Sequence, residues 1–399
     1  LISTRHVIFI SVGFLAGCSS NHVNLVPGAP PPAAGSFVFT ETNATSGNAV
    51  LAYSRAASGQ LTSSGVVSTG GTGVGLPSSG LPFPIGGATG AVAISPNGLN
   101  LCAVDAGSDD VAAYSLSSNG TLALLGRYPT NGTSPASITI DPQDRYLYVL
   151  NSGSLPSGKN APGNISGFTI ASNGVLSTLP GSTQPLSSSS AYVDPSEVRF
   201  SRDGSYLVAT EKATALIDIF PVNADLAGSP VSRPSTGKIP FGFEFTPSGT
   251  LVVTNAESAS DPAAATVSSY ASSAAGTLKV ISGQVPDDQG AACWVAVTSN
   301  GAYAYVTNTG SGSISGYAIA NGTLTLLTPG GVTAAQPSTT GPIDDAITPD
   351  DHYLYVLDSM AGKAPGTIAG FAIAANGSLT SVPTGVSGLQ PGSIGLAVR

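Results

Sequence analysis

The chain has 399 residues, a formal net charge of -9 and only 13 Lys and Arg, with charged residues at 9% of the total. So few cations exclude recognition of a nucleic-acid backbone and disfavour electrostatic attachment to anionic lipid, since both need clustered positive charge. A 41% share of hydrophobic residues set in alternating runs excludes disorder, and 50 Gly with 30 Pro suit many turns between short strands.

In chain order, residues 1–18 read as a targeting segment. Arg5 and His6 precede an apolar run over residues 7–16, too short for a permanent membrane span. The run ends Leu15-Ala16-Gly17-Cys18, which resembles the bacterial lipobox. That resemblance implies lipidation of Cys18, and Ser19 and Ser20 behind it imply sorting to the outer membrane. Residues 19–35, with Pro27 and Pro30-Pro31-Pro32, form a stiff polar tether. The expected location is the bacterial cell envelope, on either side of the outer membrane, with lipid as the only membrane contact. Cys102 and Cys293 fall in different repeats and read as small buried hydrophobes. No cysteine pair has metal spacing, and His6, His22 and His352 are too scattered for a His-based centre, so no metal or other cofactor is expected.

Residues 36–399 repeat a two-strand phrase. A hydrophobic strand runs into a Pro/Asp/Gly/Asn turn, and a second hydrophobic strand follows at once. Its turns begin Pro96-Asn97-Gly98 and recur at Pro142, Arg202, Pro247, Ser299 and Pro349, spacings of 45 to 60 residues. That is the period of a four-stranded propeller blade. A second hairpin signal recurs as Asn119-Gly120, Asn173-Gly174, Asn321-Gly322 and Asn376-Gly377, because Asn-Gly supplies the positive φ a tight hairpin needs. The start of this region offers three strands without an innermost one, and residues 391–399 look like an innermost strand with nothing after it. Six complete units and one assembled from both ends predict an all-β, seven-bladed β-propeller of four-stranded blades in one domain, its last blade closed by N- and C-terminal strands. Such a seam leaves no free sheet edge within the ring.

One propeller face is expected to carry only terse turns. The other carries the insertions at 151–164, 181–194, 255–266, 329–341 and 358–367, and length variation on one face marks a binding surface. Polar residues near the starts of innermost strands should crowd the channel mouth there. The candidates for ligand binding are Asp194, Glu197, Asp344 and Asp345, with Lys212 and Asn255 on neighbouring loops. Adjacent carboxyls can raise one another's pKa and serve as acid and base, or hold Ca²⁺, although no metal-binding spacing is present. No Ser-His-Asp or Cys-His set is available.

The phrases Tyr146-Leu147-Tyr148-Val149-Leu150-Asn151, Tyr303-Ala304-Tyr305-Val306-Thr307-Asn308 and Tyr353-Leu354-Tyr355-Val356-Leu357-Asp358 carry a family resemblance. They resemble the YVTN-type repeat of the bacterial lactonase family of seven-bladed propellers, which includes 6-phosphogluconolactonase-like proteins. Active members share a His-Pro-His phrase opening an innermost strand, an arginine opening the next, and a glutamate after that blade's second strand. Here those places read Asp194-Pro195-Ser196 and Pro240-Phe241, and the glutamate corresponds to Glu257, which the resemblance makes the catalytic candidate. With the histidines and the arginine absent, lactone turnover at or near background is expected. The preferred expectation is therefore a monomeric exported lipoprotein that binds a small molecule, a glycan or an envelope protein on its insertion-rich face. The alternative is a lactone hydrolase or isomerase.

Overall fold

The computed structural model describes residues 35–75, 90–153, 162–257, 261, 263–336, 341–359 and 365–399. Cys18, the tether before Gly35 and most of the insertion loops 154–161 and 360–364 lie outside the described residues. The strands form seven antiparallel sheets, each running innermost to outermost in sequence order except at the seam. The first blade, for example, is Val92–Ile94, Asn100–Asp105, Asp110–Leu116 and Leu122–Pro129. In four blades the outermost strand is broken into two short pieces that both pair with the third strand, as Leu176–Thr178 and Gln184–Pro185 do with Asn164–Ile170.

Burial follows strand position. Second strands such as Tyr206–Glu211 and Tyr353–Asp358 are buried throughout, because both their faces pack on neighbouring blades. Outermost strands such as Leu122–Pro129 alternate with solvent. Apolar clusters therefore sit between blades: Phe39, Val50, Leu101 and Tyr114 join the seam blade to the first, and Val208, Ile219, Phe243 and Tyr270 join the third to the fourth.

The repeated Tyr-x-Tyr has a structural role. Tyr305 donates its hydroxyl proton to the Gly377 carbonyl (3.0 Å), and Tyr355 to that of Gly59 (2.7 Å), in each case the outer hairpin of the next blade. Tyr148 accepts from the Ala227 amide at 2.9 Å in the same way. Gly377 has φ +80°, and a Cβ there would lie 2.6 Å from the Tyr303 ring, so turn geometry and close packing both require glycine.

The seam is as expected. Ile394–Val398 is the innermost strand of the blade whose other strands are Phe37–Glu41, Ala49–Arg55 and Leu61–Ser68. Phe39 sits opposite Ala397, and Phe37 and Arg399 exchange backbone bonds of 3.0 and 2.9 Å. The sixth blade holds the far side through the buried Arg55 guanidinium, 2.8 Å from Asp350, whose carboxyl is kept below its usual range by hydrogen bonds from Thr348, the His352 amide and Arg55. Removal of residues 393–399 strips the seam blade of its innermost strand. It is expected to lower the melting temperature by more than 10 °C, since about 1 kcal/mol moves Tm by a few degrees in a domain of this size. Shortening the tether by seven residues should leave it unchanged, and equal melting temperatures for the two deletions would exclude this closure.

Candidate functional site

The innermost strands line the axis, and their two ends differ. Phe241 and Trp294 pack with ring centroids 5.0 Å apart near the insertion-bearing end, both buried. They belong to one apolar cluster with Ile138, Cys293, Ile343, Ile394 and Leu396, drawn from five innermost strands. Beyond this layer lies a cavity of about 510 Å³. Its wall comes from the later residues of the innermost strands and from first-turn residues such as Pro96, Pro142 and Arg202. It therefore opens on the terse-turn face, not the insertion-rich face expected for the site. The reason is register: Asp344 lies level with Trp294, at the third position of its six-residue strand Pro342–Ile347, and Asp345 lies one residue further toward the terse-turn end.

The cavity wall is charged. Arg199, Arg202, Glu244, Asp344 and Asp345 line it, and Glu197 lies directly behind Arg199. Arg199 donates to Glu197 Oε1 from Nε (2.9 Å) and Nη2 (2.6 Å), and its Nη1 is 2.8 Å from Glu244 Oε2. Glu197 Oε2 accepts the Phe243 amide proton at 2.7 Å. Arg202 reaches Glu244 Oε1 at 3.2 Å and also donates to the Phe245 carbonyl. Asp344 Oδ1 accepts the Asp345 amide at 2.8 Å. Asp345 is only 8% exposed, and neither of its carboxyl oxygens has a hydrogen-bond partner.

Burial pushes Glu197 up to about 7, against the opposing pull of Arg199 and the Phe243 amide. Burial likewise holds Asp344 and Asp345 well above the usual carboxyl range, and for Asp345 the neighbouring Asp344 and Glu197 add to the effect. Burial without a cation favours the protonated form of a carboxyl, in which it can donate a hydrogen bond. Among the described residues no group of three or more His, Cys, Asp and Glu side chains is arranged to hold a metal ion.

Of the sequence candidates, Glu197, Asp344 and Asp345 come together; the others do not join them. Asp194 Oδ1 accepts from the Tyr192 hydroxyl (2.8 Å) and is 3.1 Å from Lys212 Nζ. Lys212 in turn sits 4.7 Å above the Phe241 ring, on the insertion-bearing side of the aromatic layer. Asn255 is fully buried, donating to Thr266 (3.2 Å) and Ser268 (3.0 Å) and accepting from Ser235 (3.1 Å). It is one of seven equivalent polar residues closing the second strands, with Glu41, Asp105, Asn151, Glu211, Asn308 and Asp358, all fully buried. Glu257 has φ 55°, and its Oε1 accepts from the Lys238 amide (3.0 Å) and from Thr266 (3.2 Å).

Arg199, Glu244 and Arg202 escaped the sequence reading, though a signal existed. Aligned on their turns, the innermost strands carry Ala93, Thr139, Arg199, Glu244, Ala296 and Ala346 at one position. Two opposite charges in adjacent blades, among small residues elsewhere, mark an ion pair facing the axis.

The carboxyl shifts fix a pH dependence. Glu197 binds its proton more tightly in the fold than in the unfolded chain, so its contribution is fully present below about 4.5 and is lost as pH rises to about 7. The loss is on the order of 3 kcal/mol for this group, and Asp344 and Asp345 act in the same direction. The melting temperature is expected to be higher at pH 5 than at pH 8, with a smaller difference in Glu197→Gln. A rise in Tm over that interval would contradict the assignment.

Residues 5–155 match the family model described as "Lactonase, 7-bladed beta-propeller". Among curated proteins no sequence match was found. Solved structures give the wider comparison. A candidate 6-phosphogluconolactonase of Bacteroides fragilis aligns over 92% of this chain and 98% of its own, with 20% identity and a TM-score of 0.64. The periplasmic gluconolactonase of Pseudomonas aeruginosa aligns over 91% and 98%, with 15% identity and a TM-score of 0.64. A candidate 6-phosphogluconolactonase of Bacteroides uniformis aligns over 91% and 99%, with 18% identity and a TM-score of 0.63. At these identities the structural likeness establishes the fold. The chain is a seven-bladed β-propeller similar to the bacterial lactonases.

Proposed function

We propose that the channel cavity hydrolyses the lactone of a sugar acid, and that the protein does so in the bacterial cell envelope. The observation that carries this is Asp345: a buried carboxyl with two unengaged oxygens, on a wall shared with Arg199 and Arg202. About 510 Å³ lies within the range of small-molecule sites. The likeness to proteins named as gluconolactonases supports lactone chemistry over the purely recognition role preferred from sequence.

The roles follow from charge and burial. The neutral Asp345 carboxyl donates a hydrogen bond to the lactone carbonyl oxygen, stabilising negative charge as it develops there. Asp344 and Asp345 repel each other's ionisation, so the pair holds one proton and one carboxylate in the reactive form. The carboxylate takes a proton from water as the water oxygen bonds to the carbonyl carbon. The ring C–O bond then breaks, its oxygen leaves as a hydroxyl with that proton, and a hydroxy acid results. Arg199 and Arg202 offer cations to its new carboxylate, while Glu197 and Glu244 orient them.

Hydrolysis of several sugar-acid lactones by wild type, Asp345→Asn and Glu257→Gln provides the test. Asp345→Asn is expected to lower kcat by roughly 10²–10⁴. Collapse in Glu257→Gln with Asp345→Asn unaffected would move the chemistry to the insertion-bearing side. Ligand binding with no turnover above background in wild type would return the protein to a recognition role.

We further propose that Cys18 carries the lipid anchor, on the basic start, the short apolar run and Leu15-Ala16-Gly17-Cys18 together. Cys18→Ser is expected to abolish lipid labelling and to shift the protein from the membrane to the soluble fraction. Unchanged membrane association would overturn the anchor.

A further inference from the structure

A second cavity, of about 410 Å³, lies on the same terse-turn face between the third and fourth blades. Ser201 and Arg202 line both cavities, so the two adjoin at the rim of the channel. Arg202 forms the saddle, fixed by its bonds to Glu244 and the Phe245 carbonyl.

The chemistry of this groove differs from that of the channel. The groove is lined by Ser205, Ser248, Ser272 and Ser273, by Tyr206, Pro247 and Ala274, and by the Asp203 carboxylate, which accepts from Ser201 (2.7 Å) and Ser205 (2.8 Å). Several of these hydroxyls already have ordered partners: Ser272 Oγ lies 2.9 Å from the Tyr206 hydroxyl, and Ser248 Oγ 2.9 Å from Thr246. A serine hydroxyl donates once and accepts twice, so each retains capacity for a further bond. Hydroxyls spaced along a groove with intervening apolar patches match a carbohydrate, whose rings alternate hydroxyl edges with C–H faces. An anionic or strongly apolar occupant would find neither a free cation row nor a continuous apolar floor.

We infer that the substrate is an oligosaccharide ending in a sugar-acid lactone: the terminal lactone enters the channel, and the following sugar units lie in the serine groove. This rests on the channel being the lactone site proposed above. Arg202 then stands at the junction of the reacting unit and the first sugar behind it.

The test uses aldonic acids, the open-chain products, in a series of one, two and three sugar units, titrated calorimetrically against the intact protein. Affinity should rise at least tenfold from one unit to two or three. Neutral oligosaccharides of the same length, lacking the acid end, should bind more weakly than the corresponding acids. In Ser273→Trp and, separately, Ser248→Trp, which fill the groove from two turns of the fourth blade, the gain with length should vanish, with circular dichroism and Tm confirming the fold. Equal affinity at every length in wild type, or a length gain that survives both tryptophans, would overturn the groove. The corresponding lactones separate the two claims: turnover that is independent of length removes the groove and keeps the hydrolase. Binding that improves with length but comes without turnover removes the hydrolase and keeps the groove.

Discussion

Everything in this molecule depends on pairing residues 37–41 with residues 394–398. A ring of blades, each packed mainly on its neighbours, depends on an unbroken circle of interfaces. If the seam opened, two blade faces and two sheet edges would be exposed together. The chain answers with backbone pairing, with Phe37 and Phe39 buried between the seam blade and the first, and with the Arg55–Asp350 pair toward the sixth. Tyrosine hydroxyls that reach the next blade's hairpin tie the second blade to the third, the fifth to the sixth and the sixth to the seam blade. Within the closed ring the innermost strands converge closely enough to bring charges from different blades into contact.

That convergence creates the electrostatic problem at the axis. Glu197, Arg199, Glu244, Asp344 and Asp345 come from three innermost strands, and more carboxyls than cations are brought together out of water. Arg199 satisfies Glu197 and Glu244 with short bonds, and Asp345 is left with none. A well-packed apolar residue at Asp345 would stabilise the ring more than an unengaged carboxyl does. A local cost of this kind, set at a cavity wall, is what a functional group looks like.

The fold was legible because its grammar is local. Pro142 and Pro247 in first turns, Gly120 and Gly377 in outer hairpins, and the orphan strand at residues 394–398 each signal structure through neighbours in sequence. The site was legible only in part. Glu197, Asp344 and Asp345 stood out as charges in apolar strands, and they do meet. The cavity they line opens toward the terse turns rather than the insertions, because which end stays open depends on how the innermost side chains pack, a fact no turn reveals. Asn255 looked like a ligand residue, yet its amide is engaged with the buried Thr266 and Ser268 hydroxyls, and the same place in every blade holds a buried polar side chain. Arg199 and Glu244 were visible only once the repeats were laid on one another.

The channel, entered from the terse-turn face, is where we propose that a sugar acid binds. A crystal structure of the protein with an open-chain sugar acid tests that most directly. A ligand carboxylate against Arg199 or Arg202, within hydrogen-bond reach of Asp345, is the expected result. A ligand held instead on the insertion-bearing side, by Asp194, Lys212 or Glu257 with the channel cavity vacant, would contradict it.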